Sequence, residues 1–218
     1  MKKYLSLLLI LFLFGCKKND NPTSPINDPN AFTYSGQIYH SVKIGNQTWM
    51  KENLNVGTMI LSSQDQTNNG RIEKYCYNDS SVNCDKYGGL YQWGEAMQYL
   101  TVWGSTGLCP SGWHIPSEPE LSDFEIAANF SSNILIDKGQ GIKTGTGTNS
   151  SGFSALLAGC RYDNQFSKGY YVTFWSSSQT GKDSPYSYIL TLYGDTNKIY
   201  IDNFNNKSAF SIRCIKDN

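Results

Sequence analysis

Six cysteines, Cys16, Cys76, Cys84, Cys109, Cys160 and Cys214, constrain this chain more than any other feature, because cysteines tie a fold together only in an oxidising compartment. The first fifteen residues point to that compartment. Lys2 and Lys3 precede an apolar run from Tyr4 to Phe14, and Gly15 stands just before Cys16. A basic start, a short apolar segment and a small exit residue read as a secretory signal over residues 1–15, too short to cross a bilayer as a helix. Cys76 and Cys84 are separated by Asn78-Asp79-Ser80-Ser81, a turn-forming run, and are expected to close a small loop.

The position of Cys16 changes the count. Leu13-Phe14-Gly15-Cys16 resembles the bacterial lipobox, whose cysteine is lipidated on sulfur and becomes the new N-terminus; an ordinary signal peptide with an incidental cysteine is the alternative. Lipid chains such as palmitate on Cys16 would hold the protein at a membrane with no crossing helix. The expected location is therefore the cell envelope, as an outer-membrane lipoprotein facing the periplasm or the exterior. Five cysteines then remain in the domain, so at least one has no partner within the chain. Residues 17–30 carry three prolines and almost nothing apolar, which gives a flexible tether over 16–31 and a folded domain over 32–218.

Removal of Lys2 and Lys3 leaves 16 basic against 18 acidic residues, a net charge of −2. Phosphate binding needs a surplus of Lys and Arg, so nucleic acid is excluded as a leading partner. Within the domain, Gln37 to Ile44 alternates, with Ile38, His40, Val42 and Ile44 on one face and Tyr39, Ser41 and Lys43 on the other. The Gly45-Asn46 turn and Gln47 to Met50 complete an expected β-hairpin. Leu90, Trp93, Ala96-Met97 and Leu100 recur three to four apart, which predicts a helix over Gly88 to Leu100. Ser117 with Glu120 forms a capping box, with Pro119 in the first turn, and predicts a second helix over Glu118 to Asn129. Residues 138–152 are rich in Gly, Thr, Ser and Asn and read as a long surface loop. Strand-like runs follow at 174–177, 186–193, 198–202 and 209–216. Helices early and an antiparallel meander late argue for an α+β chain rather than a parallel sheet.

A series of phrases then resembles the Fibrobacter succinogenes major paralogous domain, a family of secreted and lipoprotein modules. These are Val42 to Met50 (VKIGNQTWM) with Glu52-Asn53-Leu54-Asn55, Gly89 to Trp93 (GLYQW) with Ala96, Cys109 to Ser117 (CPSGWHIPS), Gly152 to Leu156 (GFSAL), Phe174 to Ser177 (FWSS) and Ser211 to Asp217 (SIRCIKD). They occur in the family's order. The resemblance implies a C-type lectin-like fold, two helices followed by an antiparallel sheet whose last strand returns beside the first. In such a fold Cys109, ahead of the strand leading to the second helix, meets Cys214 on the last strand, and the two are expected to pair. Cys160 is left unpaired. The resemblance implies glycine at this position in many relatives, and the expected role is a small buried apolar residue rather than a reactive thiol.

The remaining chemistry is sparse. His40 and His114 have no second histidine at ligand spacing and read as structural. The calcium loop of sugar-binding lectins of this fold is absent, since Glu118-Pro119-Glu120 starts a helix and Trp175 is followed by Ser176-Ser177. No cofactor is expected; structural calcium held by other oxygens, for instance around Asp195 and Asn197, is not indicated. A formylglycine-generating enzyme would need a pair of active cysteines near the C-terminal end, where only Cys214 stands, so a non-catalytic role is expected. Seven of the fifteen tyrosines fall after residue 160 amid Ser, Asn and Gly, a composition suited to recognition. Part of these rings is expected to pack the sheet, and Tyr162, Asp163, Tyr170, Tyr171 and Tyr186 are the candidate ligand contacts. Trp49, Trp93, Trp113 and Trp175 read as core. The expected contact region joins the loops 138–152, 163–171 and 181–186. The chain reads as a surface-anchored, lectin-like, non-catalytic module for an extracellular glycan or protein. A structural envelope component without a diffusible ligand and a glycan-active hydrolase are the alternatives.

Overall fold

The computed structural model describes residues 28–217. The expected signal 1–15, the lipid site Cys16 and most of the tether lie outside the described residues. In chain order the elements are β1 (Ala31–Tyr34), β2 (Gln37–Ile44), β3 (Gln47–Met50), β4 (Thr58–Met59), β5 (Glu73–Lys74), α1 (Ser81–Tyr87), β6 (Tyr91–Gln92), α2 (Trp93–Ala96), β7 (Trp113–His114) and α3 (Glu118–Ala127). They continue with β8 (Cys160–Tyr162), β9 (Gln165–Ser167), β10 (Tyr171–Gln179), β11 (Tyr186–Tyr193), β12 (Lys198–Asn205), β13 (Ala209–Phe210) and β14 (Ile215–Lys216). The architecture is mostly sheet with few helices. Apart from the two-residue parallel pair β4–β5, every paired strand is antiparallel.

The first sheet has the order β1-β2-β3-β14-β7, so the last strand lies beside the opening hairpin, with Ile215 opposite Trp49. The second is the meander β10-β11-β12, and the third has the order β6-β13-β8-β9. Alternation along the meander divides its side chains. Val172, Phe174, Leu190, Leu192 and Ile199 point to one core cluster, which they share with Leu121 and Phe124 of α3 and with Trp49 and Phe153. Trp175 and Ile189 point to the other side and join a second cluster with Tyr91, Trp93 and Phe210. That second side is covered only in part, and the candidate site lies there.

Local chemistry explains α3. The Ser117 backbone N–H donates to the Glu120 carboxylate at 2.8 Å and its hydroxyl donates to the same oxygen at 2.7 Å, while Pro119 sits where an N–H would be unpaired. Glu120 also accepts from His114 Nε2 at 2.9 Å, and His114 Nδ1 meets Asp217 at 2.6 Å, so the helix start is tied to the last residues of the fold. Disulfides join Cys76 to Cys84 and Cys109 to Cys214, with Cα separations of 4.9 and 5.9 Å. All four expected core tryptophans are buried; Trp103 is 57% exposed.

Three expectations need correction. The stripe over Gly88 to Leu100 is not one helix: Leu90 bridges to Tyr75, β6 pairs with β13, and only α2 is helical before Gln98 and Tyr99 take positive φ. Its apolar spacing came from a segment buried on several sides rather than from one helical face, since Leu90, Tyr91, Gln92, Trp93, Glu95, Ala96 and Met97 are all buried. Among the described residues there are thus three α-helices where two were expected; α1 starts inside the Cys76–Cys84 loop, carries Cys84 and ends at Gly88, whose φ is +81°. In β2 the expected faces exchange over the first half, with Tyr39 buried and Ile38 52% exposed, because β1 pairs alongside and Tyr39 packs against Phe32.

Candidate functional site

The hairpin of β8 and β9 carries the site. Its two turn residues, Asp163 and Asn164, have φ of +47° and +61°, a conformation that Asp and Asn tolerate and two-residue hairpins need. Along β8 successive side chains alternate, so Arg161 points inward between Cys160 and Tyr162. Arg161 is 1% exposed and stacks on the Tyr75 ring at 4.3 Å. Its guanidinium donates to the carbonyls of Ser62 (2.7 Å), Gln64 (3.3 Å) and Lys207 (3.3 Å) and to Asn164 Oδ1 (2.5 Å), and it meets Asp65 at 3.4 Å. A buried cation satisfied by carbonyls in this way fixes three separate loops against one another.

Those loops enclose a cleft of about 610 Å³. Tyr162, Tyr186 and Phe204 line it and are 49%, 44% and 36% exposed. Tyr162 and Phe204 meet edge to face with centroids 5.6 Å apart. Asp163, Asn164, Asn203, Asn205 and Lys207 also line it. The Asp163 carboxylate holds the pKa of the Tyr162 hydroxyl above its ordinary value. Asp65, the other carboxylate of the cleft, accepts from Gln92 at 3.0 Å as well as meeting Arg161.

Tyr171 lines a neighbouring cavity of about 490 Å³ together with Cys160, Thr173, Tyr193 and Tyr200. Its hydroxyl sits 3.3 Å from Cys160 Sγ and donates to Ser167 Oγ at 3.0 Å. Burial, and then the adjacent Cys160, push its pKa up to about 12. Cys160 is the free cysteine among the described residues; it is 7% exposed and its pKa is raised by burial, the opposite of what a reactive thiol needs.

Of the candidate contacts, Tyr162, Asp163 and Tyr186 meet in the cleft, Tyr171 faces the cavity beside it, and Tyr170 stands apart, half exposed. The loop 138–152 does not join them. Its Ile142 N–H donates to Gly194 at 2.6 Å, and Gly145 lies on the Gly194 backbone, at the end of β11 opposite Tyr186. The expected contact region is thus two separate places. Near that loop Asn197 Oδ1 accepts from Asn133 N–H (2.8 Å) and Ser131 (3.0 Å), and a buried oxygen of Asp195 has no hydrogen-bond partner. Among the described residues no group of three or more His, Cys, Asp or Glu is placed to hold a metal ion, and no helix is long and apolar enough to cross a membrane.

A family model described as the Fibrobacter succinogenes major domain matches residues 42–216. The chain belongs to this family. The match spans both disulfides, the cleft and the C-terminal phrase containing Arg213. No curated protein and no solved structure matches the chain. In this family member Arg213 is wholly buried, donating to Asn53 Oδ1 at 2.8 and 3.1 Å and to the Phe153 carbonyl at 2.6 Å, with its plane 4.2 Å from the Phe153 ring centroid. Burial drags its pKa down to about 9, so the guanidinium stays charged at neutral pH and cements the core.

Sequence reasoning missed Arg161, Phe204, Asn203, Asn205 and Lys207. Arg161 carried one signal, an arginine inside an otherwise uncharged run, Leu157-Ala158-Gly159-Cys160-Arg161-Tyr162. The rest became neighbours only through the register of β11 with β12, which sets Tyr186 opposite Asn205 and Ser187 opposite Phe204.

Proposed function

We propose that this protein is an envelope-anchored, non-catalytic binding module, and that the Tyr162–Tyr186–Phe204 cleft takes an extracellular glycan. One observation carries the reading: three part-exposed rings converge on a cleft floored by amide and carboxylate side chains and held in shape by a buried arginine. Sugar rings have apolar C–H faces and hydroxyl edges, and a site for them needs both flat aromatic surface and fixed donors and acceptors. A C-type lectin-like arrangement fits the return of β14 beside the opening hairpin and the order of helices before the meander. The non-catalytic reading is supported by the carboxylates of the cleft: Asp65 is engaged by Arg161 and Gln92, and Asp163 is left without a free second carboxyl group to act with. The lipid anchor rests on Cys16 and its preceding segment; Cys16→Ser should release the protein from membranes.

The test is a glycan array probed with the purified protein and with Tyr162→Ala, each with and without calcium. Binding that Tyr162→Ala abolishes is the expected result. An intact fold by circular dichroism with no glycan bound would refute the reading.

A further inference from the structure

The cleft does not end at Phe204. Tyr162 and Phe204 line both the 610 Å³ cleft and the 490 Å³ cavity, so the two adjoin at this ring pair and follow the uncovered side of the meander as a groove. Its floor follows from strand alternation: Tyr200, Asp202 and Phe204 share one face of β12, and Thr173 and Thr191 stand beside Tyr200 with hydroxyls 3.0 Å apart. From Tyr200 to Asn205 the strand covers roughly 17 Å. Aromatic rings mark its length, with Tyr162 and Phe204 at one end and Tyr200 at the other, 47% exposed and edge to face with Tyr193 at 5.6 Å, while Tyr186, opposite Asn205, lies on the alternate face at the rim of the cleft.

Its charge selects among polymers. The Arg161 cation is already satisfied by carbonyls and Asp65, which leaves Asp163, Asp202 and Lys207 facing the groove, a slight negative excess. A polyuronate or sulfated chain would meet repulsion without an unpaired guanidinium to receive it. Resting on the glycan-binding reading above, we infer that the groove binds a linear, uncharged polysaccharide across several sugar units at once rather than a monosaccharide.

The experiment is isothermal titration of the purified protein with two to six unit oligomers of β-1,4-linked glucose, β-1,4-linked xylose and α-1,4-linked glucose, with oligogalacturonate as the charged comparison. For at least one neutral series the affinity should climb with length and exceed that for the dimer by about tenfold or more at the hexamer. Tyr162→Ala and Tyr200→Ala change exposed rings, and circular dichroism verifies their folding. Both should weaken the hexamer, whereas a dimer should feel at most one of them. Equal affinity for dimer and hexamer would overturn the extended groove while leaving glycan binding intact. Preference for the oligogalacturonate would overturn the uncharged ligand. Failure of every sugar, or capture instead of a peptide strand on the free edge of β12, would overturn both this inference and the reading beneath it.

Discussion

Removal of the long disulfide should cost about twice as much stability as removal of the short one. Cys109–Cys214 closes a loop of 105 residues and Cys76–Cys84 one of 8. In the chain-entropy description, these loops give about 4.8 and about 2.5 kcal/mol at 25 °C, a difference of about 2.3 kcal/mol. The comparison is well controlled. All four cysteines are buried, at 0%, 2%, 3% and 0% exposure, so the paired substitutions Cys109→Ala/Cys214→Ala and Cys76→Ala/Cys84→Ala delete the same atoms from equally enclosed sites. The loops do not overlap in the chain, so the losses should add in the quadruple variant. Urea unfolding without reductant measures each variant, and unchanged steepness of the transitions would show that the comparison is of stability alone. In melting temperature the gap between the two double variants should be roughly 5–9 °C for a domain of this size. Equal losses, or a larger loss from the short clip, would refute the loop-length reasoning and make the bridges matter through local packing.

The His114–Glu120–Asp217 cluster makes stability pH-dependent in two directions. Burial alone would raise Glu120, but hydrogen bonds from His114 and Ser117 pull its pKa down to about 2. Its contribution is therefore present above the unfolded value near 4.5 and lost as pH falls toward 2. The Glu120 hydrogen bond, against the opposing effect of burial, raises the pKa of His114; its contribution is complete below about 6.5 and lost as pH rises through the raised native value. Both terms are thus complete between about pH 4.5 and 6.5. His114→Gln should flatten the upper limb and cost on the order of 1–2 kcal/mol near pH 5 in urea unfolding. A β-carbon on Gly145 would lie 2.3 Å from the Gly194 carbonyl carbon and 2.4 Å from the Asp195 nitrogen, backbone atoms that no rotamer change can clear. Gly145→Ala should therefore cost about 3 kcal/mol, against a change within about 0.5 kcal/mol for Gly181→Ala, which has open space around it. Cys160 should react with iodoacetamide far more slowly in the native protein than in urea; similar rates would contradict its burial beside Tyr171.

The parts legible in the sequence are those written in local chemistry. Ser117, Pro119 and Glu120 announce α3, and Gly45-Asn46 announces the hairpin of β2 and β3, because caps and turns need particular side chains at fixed offsets. The Gly88–Leu100 segment misled for a physical reason: a stretch enclosed on several sides loses the polar face that makes a helical period diagnostic. The β8–β9 hairpin went unread because Phe166 is the only apolar residue of β9, so alternation could not be seen there. The site was half legible. Tyr162, Asp163 and Tyr186 stand out by composition, whereas Phe204 joins them only through strand register, and the loop 138–152 is drawn away by the backbone contact of Gly145 with Gly194.

The central claim is that one groove on the uncovered side of the meander receives a glycan chain. Two-dimensional NMR of the labelled protein, recorded with and without the tightest-binding neutral hexasaccharide, tests it residue by residue. Shifted signals are expected for Tyr162, Tyr200 and Phe204, with Arg213, Asn53 and Trp103 unmoved. Shifts centred on Arg213 or Trp103, with the three groove rings unchanged, would contradict it.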